Sequence, residues 1–212
     1  MAANLTLNDF GFYLVVTNPV VGYERCCEAA VAAGVKMVQL RMKDAPREEI
    51  LAVAKAMRKV TRGTETNFIV NDDPSIAAEA EADGVHVGQT DMSVTEVRRL
   101  YPSLRIVGLS THNLDQVAAA RAENPDYIGV GPVYATPTKK IPDPTLGPEM
   151  AGRMIAAAPC PAVAIGGINQ ETLPAVLAAG ARNFAVVRAV CGSSDPLSAI
   201  RSLCEVAARF SR

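Results

Sequence analysis

Eight short runs of β-branched and apolar residues, each followed by a stretch with helical spacing, recur along nearly the whole chain. The runs cover residues 12–16, 35–40, 67–70, 84–87, 105–108, 127–130, 162–165 and 183–187. Strands that alternate with helices in this way run parallel, joined by right-handed crossovers. Two architectures meet that requirement, an open doubly wound sheet and a closed (β/α)8 barrel. Eight units rather than five or six favour the barrel, as does the lack of an early G-x-G-x-x-G turn. At 212 residues the chain fits a single-domain (β/α)8 TIM barrel near the lower end of its usual size, about 200 residues. No shift in composition marks a second domain. The barrel is therefore expected over 12–212, with residues 1–11 as an N-terminal extension of no assigned role.

The second helical stretch shows how local chemistry sets such elements. Asp44 can cap it, Pro46 suits its first turn, and Glu48 and Glu49 stand at its positive end. Ile50, Val53, Ala54, Met57 and Val60 form an apolar stripe at helical spacing. Arg58, Lys59 and Arg62 occupy the negative end, and Gly63 stops the helix. Ala32-Ala33-Gly34 and Ala178-Ala179-Gly180 end two other helices just before a strand.

Composition narrows the function classes. Hydrophobic residues make up 49% and charged residues 20%, enough core to fold and too few charges for disorder. With 21 basic against 22 acidic residues the net charge is −1, which gives no footprint for nucleic acid or an acidic membrane. An anionic ligand must be met by a local basic cluster. The five cysteines form neither a C-x-x-C pair nor a metal-ligand spacing, and the odd count is a poor disulfide framework. They read as small apolar residues of a cytoplasmic protein. The first residues lack a signal-peptide pattern, and no apolar run approaches the roughly 20 residues of a membrane helix.

In a parallel barrel, polar residues at the C-terminal ends of strands carry function. The second strand ends in Gln39-Leu40-Arg41-Met42-Lys43, where alternation puts Gln39, Arg41 and Lys43 on one face and Leu40 and Met42 on the other. Two cations and an amide on one face make an anion grip. The third strand runs into Asn71-Asp72-Asp73 and the fourth into a segment ending at Asp91. Asp72 and Asp91 on adjacent strand ends suit magnesium, which takes one or two carboxylates together with waters and substrate phosphates. One of Asp72 and Asp73 is expected instead to cap the helix that starts at Pro74. His86 reads as a packed, hydrogen-bonded strand residue, and the lack of metal-binding histidine spacing argues against zinc. The fifth strand presents Ser110 to a substrate, and Asn113 caps the next helix; His112 stays open between a structural and a functional role.

The connection 132–147 is long and carries four prolines, as a lid or binding loop would. Thr136, Pro137, Thr138 and Lys139 lie on it. The seventh strand ends in Gly166-Gly167, and the eighth leads to Val187 and Arg188. Loops after these two strands are the usual phosphate site of a barrel.

The blocks QLRMKD, FIVNDD, GVHVGQTD, GLSTHN, YIGVGPVYATPTKK, VAIGGIN and FAVVRAV, in this order from about Phe12 to Val190, resemble the thiamine phosphate synthase family. The resemblance implies transfer of a hydroxymethylpyrimidine group from its diphosphate to the ring nitrogen of a thiazole phosphate, releasing pyrophosphate. By the same resemblance, Gln39, Leu40, Arg41, Met42, Lys43, Asn71, Ser110 and Lys139 would bind the pyrimidine diphosphate. Arg41, Lys43, Ser110 and Lys139 among them would serve the reaction. Asp72 and Asp91 would hold Mg2+. Thr136, Pro137, Thr138, Gly167, Val187 and Arg188 would line the thiazole phosphate site.

Arg188 departs from the family pattern, which has a small polar residue, usually serine, at that position. Two other readings are a thiazole tautomerase-like barrel and a non-catalytic barrel that binds thiazole phosphate. Neither needs the combined diphosphate and metal set. The expected partners are small-molecule substrates and a second copy of the chain in a homodimer.

Overall fold

The computed structural model describes residues 7, 9–137 and 144–210. Eight parallel strands close into a barrel in sequence order: β1 (Phe12–Val16), β2 (Met37–Leu40), β3 (Asn67–Asn71), β4 (Gly84–Val87), β5 (Ile106–Thr111), β6 (Tyr127–Val130), β7 (Ala162–Ile165) and β8 (Asn183–Val186), with β1 pairing β8. The helices are α1 (Tyr23–Ala32), α2 (Arg47–Thr61), α3 (Pro74–Glu79), α4 (Val94–Leu100), α5 (Leu114–Glu123), α6 (Gly147–Ala157), α7 (Leu173–Ala178), α8 (Arg188–Cys191) and α9 (Pro196–Ala208). The chain is thus a (β/α)8 barrel. None of its described helices is long and apolar enough to cross a membrane.

Strand alternation divides the core in two. Leu14, Val38, Val70, Val85, Val107, Ile128, Ala164 and Val186 face outward and pack with the helices in the larger cluster. Tyr13, Val15, Met37, Ile69, Ile106, Tyr127, Val163 and Ala185 face inward and fill the barrel itself. Leu7 belongs to this inner cluster, and Phe10 lies edge-on to both Tyr13 and Tyr127. Part of the extension, which the sequence left without a role, therefore plugs the barrel floor. The five cysteines are free; Cys26, Cys27 and Cys191 are buried in the outer layer, as small apolar residues would be.

Local signals behaved unevenly. Gly34 and Gly180 follow their helices at φ 73° and 101°, where glycine is the residue of lowest cost. Asp73 caps α3, its Oδ1 accepting from the backbone N–H groups of Ser75 and Ile76. Asn113 caps α5 through the Gln116 N–H. Asp44 is not the N-cap of α2, however: Pro46 is, without a side-chain cap, and the helix starts at Arg47. Asp44 lies two residues earlier with a left-handed backbone at φ 64°. From there it is too far along the chain to serve as the N-cap.

Candidate active site

The C-terminal strand ends converge on one mouth of the barrel. Gln39 is buried inside the barrel, its Nε2 donating to the Tyr13 hydroxyl at 2.7 Å. Leu40 is buried in the outer cluster and Met42 packs against it, so any part they take in the mouth is confined to their backbone. Arg41 is half-buried, and its N–H continues the ladder to the Val16 carbonyl at 2.9 Å. Burial pushes its guanidinium below the ordinary value, and the carboxylates of Asp72 and Asp44 partly offset this. Arginine stays charged all the same. A cation stripped of water in this way is primed for an anionic ligand.

Lys43 lies beyond Arg41 and pairs with Asp72, Nζ to Oδ2, at 2.6 Å. Asp72 follows Asn71 at the end of β3 with φ 66°, and its N–H donates to the His86 carbonyl of β4 at 2.8 Å. That bond ties the Asp72 turn to the strand whose following loop carries Asp91. Asp91 is held in turn, its Oδ2 accepting from the Gly88 N–H at 2.7 Å. Among the described residues no group of three or more His, Cys, Asp or Glu is arranged to hold a metal ion.

His86 points into the barrel between two partners. Its Nδ1 lies 3.0 Å from the Tyr127 hydroxyl and its Nε2 2.9 Å from Ser110 Oγ. Burial pushes its pKa down to about 4, against a smaller upward pull from Asp91 and with a further push down from His112. The ring is therefore neutral near pH 7. His112 has a structural part: its N–H donates to Gln116 and its Nδ1 meets the Gly131 carbonyl at 2.6 Å.

The opposite wall joins the β6 and β7 loops. Val133 and Tyr134 donate their N–H groups to the carbonyls of Ile165 and Gly166, so pairing continues past the strand ends. The long connection is clipped at its base, with Leu146 and Gly147 donating to the carbonyls of Pro132 and Val133. Thr136 is half-buried and Pro137 exposed on this connection, whereas Thr138 and Lys139 lie outside the described residues. Asn169 accepts from the N–H groups of Glu171 and Thr172, and the Thr172 hydroxyl donates to the Gly167 carbonyl, which fixes the glycine turn. Val187 is half-buried and Arg188 exposed where β8 gives way to α8.

Gly167 is a tight point of this wall. It sits at φ 64°, and a Cβ there would lie 2.6 Å from Tyr134 Cβ and 2.9 Å from the Ala135 carbonyl oxygen. Gly34 has a similar φ, 73°, but open space around it. Gly34→Ala is expected to cost about 1 kcal/mol, the backbone part alone, and Gly167→Ala about 3 kcal/mol, because crowding adds to it. Urea unfolding midpoints compare the two directly. Equal losses would mean that the loop yields without resistance.

The family model described as thiamine monophosphate synthase matches residues 12–190. The chain belongs to that family. A thiamine-phosphate synthase of Laribacter hongkongensis is 40% identical over 92% of this chain and 94% of its own length. One from Synechocystis sp. is 42% identical over 93% of this chain, which spans only 57% of that longer relative. A solved thiamine phosphate pyrophosphorylase from Pyrococcus furiosus superposes with a TM-score of 0.88 at 29% identity, covering 99% of this chain and 100% of its own. Tyr13 and Tyr127 are what sequence reasoning missed in this family member. As single aromatics on apolar strands they read as core, and only barrel closure makes them neighbours.

Proposed function

We propose that the chain is a thiamine phosphate synthase that couples a hydroxymethylpyrimidine diphosphate to a thiazole phosphate, releasing pyrophosphate. The observation that carries this reading is the half-buried Arg41 beside the Lys43–Asp72 pair at the mouth of a barrel of this family. Pyrophosphate leaves readily only when its developing charge is neutralised, and Arg41, Lys43 and Lys139 are cations suited to that. Ser110 and Gln39 belong to the pyrimidine side, with Asn71 at the end of β3 beside the diphosphate. By the family resemblance, Thr136, Pro137, Thr138, Gly167, Val187 and Arg188 would serve the thiazole phosphate. The thiazole nitrogen carries its own lone pair, so the reaction needs no strong general base. A site without a catalytic triad is consistent with that chemistry.

The donor set fits magnesium. Asp72 and Asp91 are hard oxygen ligands from neighbouring strand ends, and each is steadied by a hydrogen bond or ion pair at Oδ2. Two carboxylates are too few for an all-protein cage and suit an ion that also takes waters and substrate phosphates. When bound, Mg2+ would supply charge neutralisation to the diphosphate.

The test combines purified protein, hydroxymethylpyrimidine diphosphate, thiazole phosphate and magnesium, and follows both products. Thiamine phosphate and pyrophosphate are expected in equal amounts, with neither formed in EDTA or without the thiazole. A folded protein that binds thiazole phosphate but forms no product would overturn the reading in favour of a tautomerase-like barrel. Asp91→Ala is expected to lose most activity and to recover part of it at high magnesium. Unchanged turnover in that variant would remove the metal assignment.

A further inference from the structure

Five side chains from five strands form one continuous chain of hydrogen bonds inside the barrel. Gln39 Nε2 meets Tyr13 Oη at 2.7 Å, Tyr13 Oη meets Tyr127 Oη at 2.9 Å, Tyr127 Oη meets His86 Nδ1 at 3.0 Å, and His86 Nε2 meets Ser110 Oγ at 2.9 Å. Both tyrosines are buried, so neither phenol has water as an alternative partner. The space for the chain is built in. A Cβ on Gly108 would lie 2.2 Å from Tyr127 Cζ and 2.6 Å from His86 Nδ1, and one on Gly129 would lie 3.5 Å from His86 Cε1. The rings of His86 and Tyr127 stack with centroids 5.4 Å apart.

Each phenol has a single proton, so the whole chain takes its direction from its first member, the Gln39 amide, which presents Nε2 to Tyr13. The Gln39 Nε2 group only donates, so the Tyr13 oxygen accepts from it and the Tyr13 proton goes to Tyr127. The Tyr127 proton then goes to His86 Nδ1. A neutral imidazole that accepts at Nδ1 carries its proton on Nε2 and donates it to Ser110 Oγ. With its oxygen already accepting, Ser110 has its own proton left for a partner outside the chain, at the barrel mouth.

We infer that Tyr13, Tyr127 and His86 are positioning residues whose one-way relay holds His86 as the neutral Nε2–H tautomer and makes the Ser110 hydroxyl a hydrogen-bond donor toward the ligand. The matching ligand atom is an acceptor without a proton, such as a heteroaromatic ring nitrogen. The ligand half of this inference rests on the synthase reading, in which Ser110 meets the pyrimidine ring. The tautomer half does not. Were the relay reversed, Ser110 would be an acceptor and would select an amino group instead.

Long-range 1H–15N spectra of the labelled protein near pH 7.5 read the tautomers directly. The chain has only two histidines. His112 is an internal reference, because its Nδ1 faces a carbonyl oxygen and must carry a proton. His86 is expected to show the opposite pattern, bare at Nδ1 and protonated at Nε2. A proton on Nδ1 of His86, whether as the other tautomer or as an imidazolium, overturns the relay.

Tyr127→Phe is expected to release His86 into a mixture of tautomers. It should also raise the KM for the pyrimidine diphosphate roughly tenfold, about the loss of one hydrogen bond, and leave the KM for thiazole phosphate unchanged. A pure Nε2–H tautomer persisting in that variant also overturns the inference. The wild-type spectrum needs neither substrate nor a folded variant. An Nε2–H signal in a protein that makes no thiamine phosphate would sink the synthase reading and leave the relay standing.

Discussion

Arg41→Ala should reduce kcat/KM for the pyrimidine diphosphate by roughly 10^2–10^3, the range for removing a preorganised charge from the leaving-group side of a transition state. The reason lies in how this cation is held. Its backbone is part of the barrel ladder through Val16, its guanidinium is partly stripped of water, and Asp72 and Asp44 are its compensating charges. Lys43 cannot take its place, because it is more exposed and already paired with Asp72. Arg41→Lys should fall in between, since it keeps the charge and loses the planar fork that grips two phosphate oxygens. The KM for thiazole phosphate should hardly move in either variant. Steady-state kinetics with each substrate varied in turn is the measurement. Equal weakening of both substrates would contradict the division of the mouth into a diphosphate side and a thiazole side.

What the sequence made legible followed from periodicity. Strand alternation separated Gln39 and Arg41 from Leu40 and Met42, and the barrel keeps that division, with Leu40 in the outer layer and Gln39 inside. The glycines at 34 and 180 ended their helices where they were expected to. Asp44 was misread because a capping residue before Pro46 is a local pattern, whereas the turn leaving β2 takes a left-handed residue at 44 and starts the helix later. His86 was read correctly as a hydrogen-bonded strand residue, yet its partners could not be named. Tyr127 is 41 residues from His86 and 114 from Tyr13, and no local spacing encodes such a meeting. Thr138 and Lys139 lie outside the described residues, so that part of the reading rests on the sequence and family alone.

The largest stability loss is expected at the other end of the barrel, from Asp83→Ala. Asp83 immediately precedes β4, and its nearly buried carboxylate joins three elements. Oδ2 accepts from Arg58 Nη1 of α2 at 2.8 Å and from the Phe68 N–H of β3 at 2.9 Å, while Oδ1 accepts from Arg105 Nη2 at 2.8 Å. Alanine would leave the half-buried Arg58 guanidinium, whose Nε already has no partner among the described residues, without its counter-charge, and would orphan the Phe68 N–H. Breaking a buried pair by removing one member costs about 3–5 kcal/mol, a large share of the 5–15 kcal/mol that holds a typical domain folded. Asp126 repeats the device before β6, accepting from Arg98 at 3.0 Å and from the Val107 N–H at 2.6 Å, so Asp126→Ala should show a smaller loss of the same kind from its more exposed site. Because both aspartates sit at the N-terminal ends of strands, the fraction of Asp83→Ala that remains folded in the cold should keep wild-type KM values for both substrates. Urea unfolding at 10 °C together with those kinetics decides the matter. A loss under about 1 kcal/mol would show that water replaces the carboxylate at little cost. Altered KM values in the folded fraction would show that the barrel floor and mouth are coupled, against the division of labour usual in this fold.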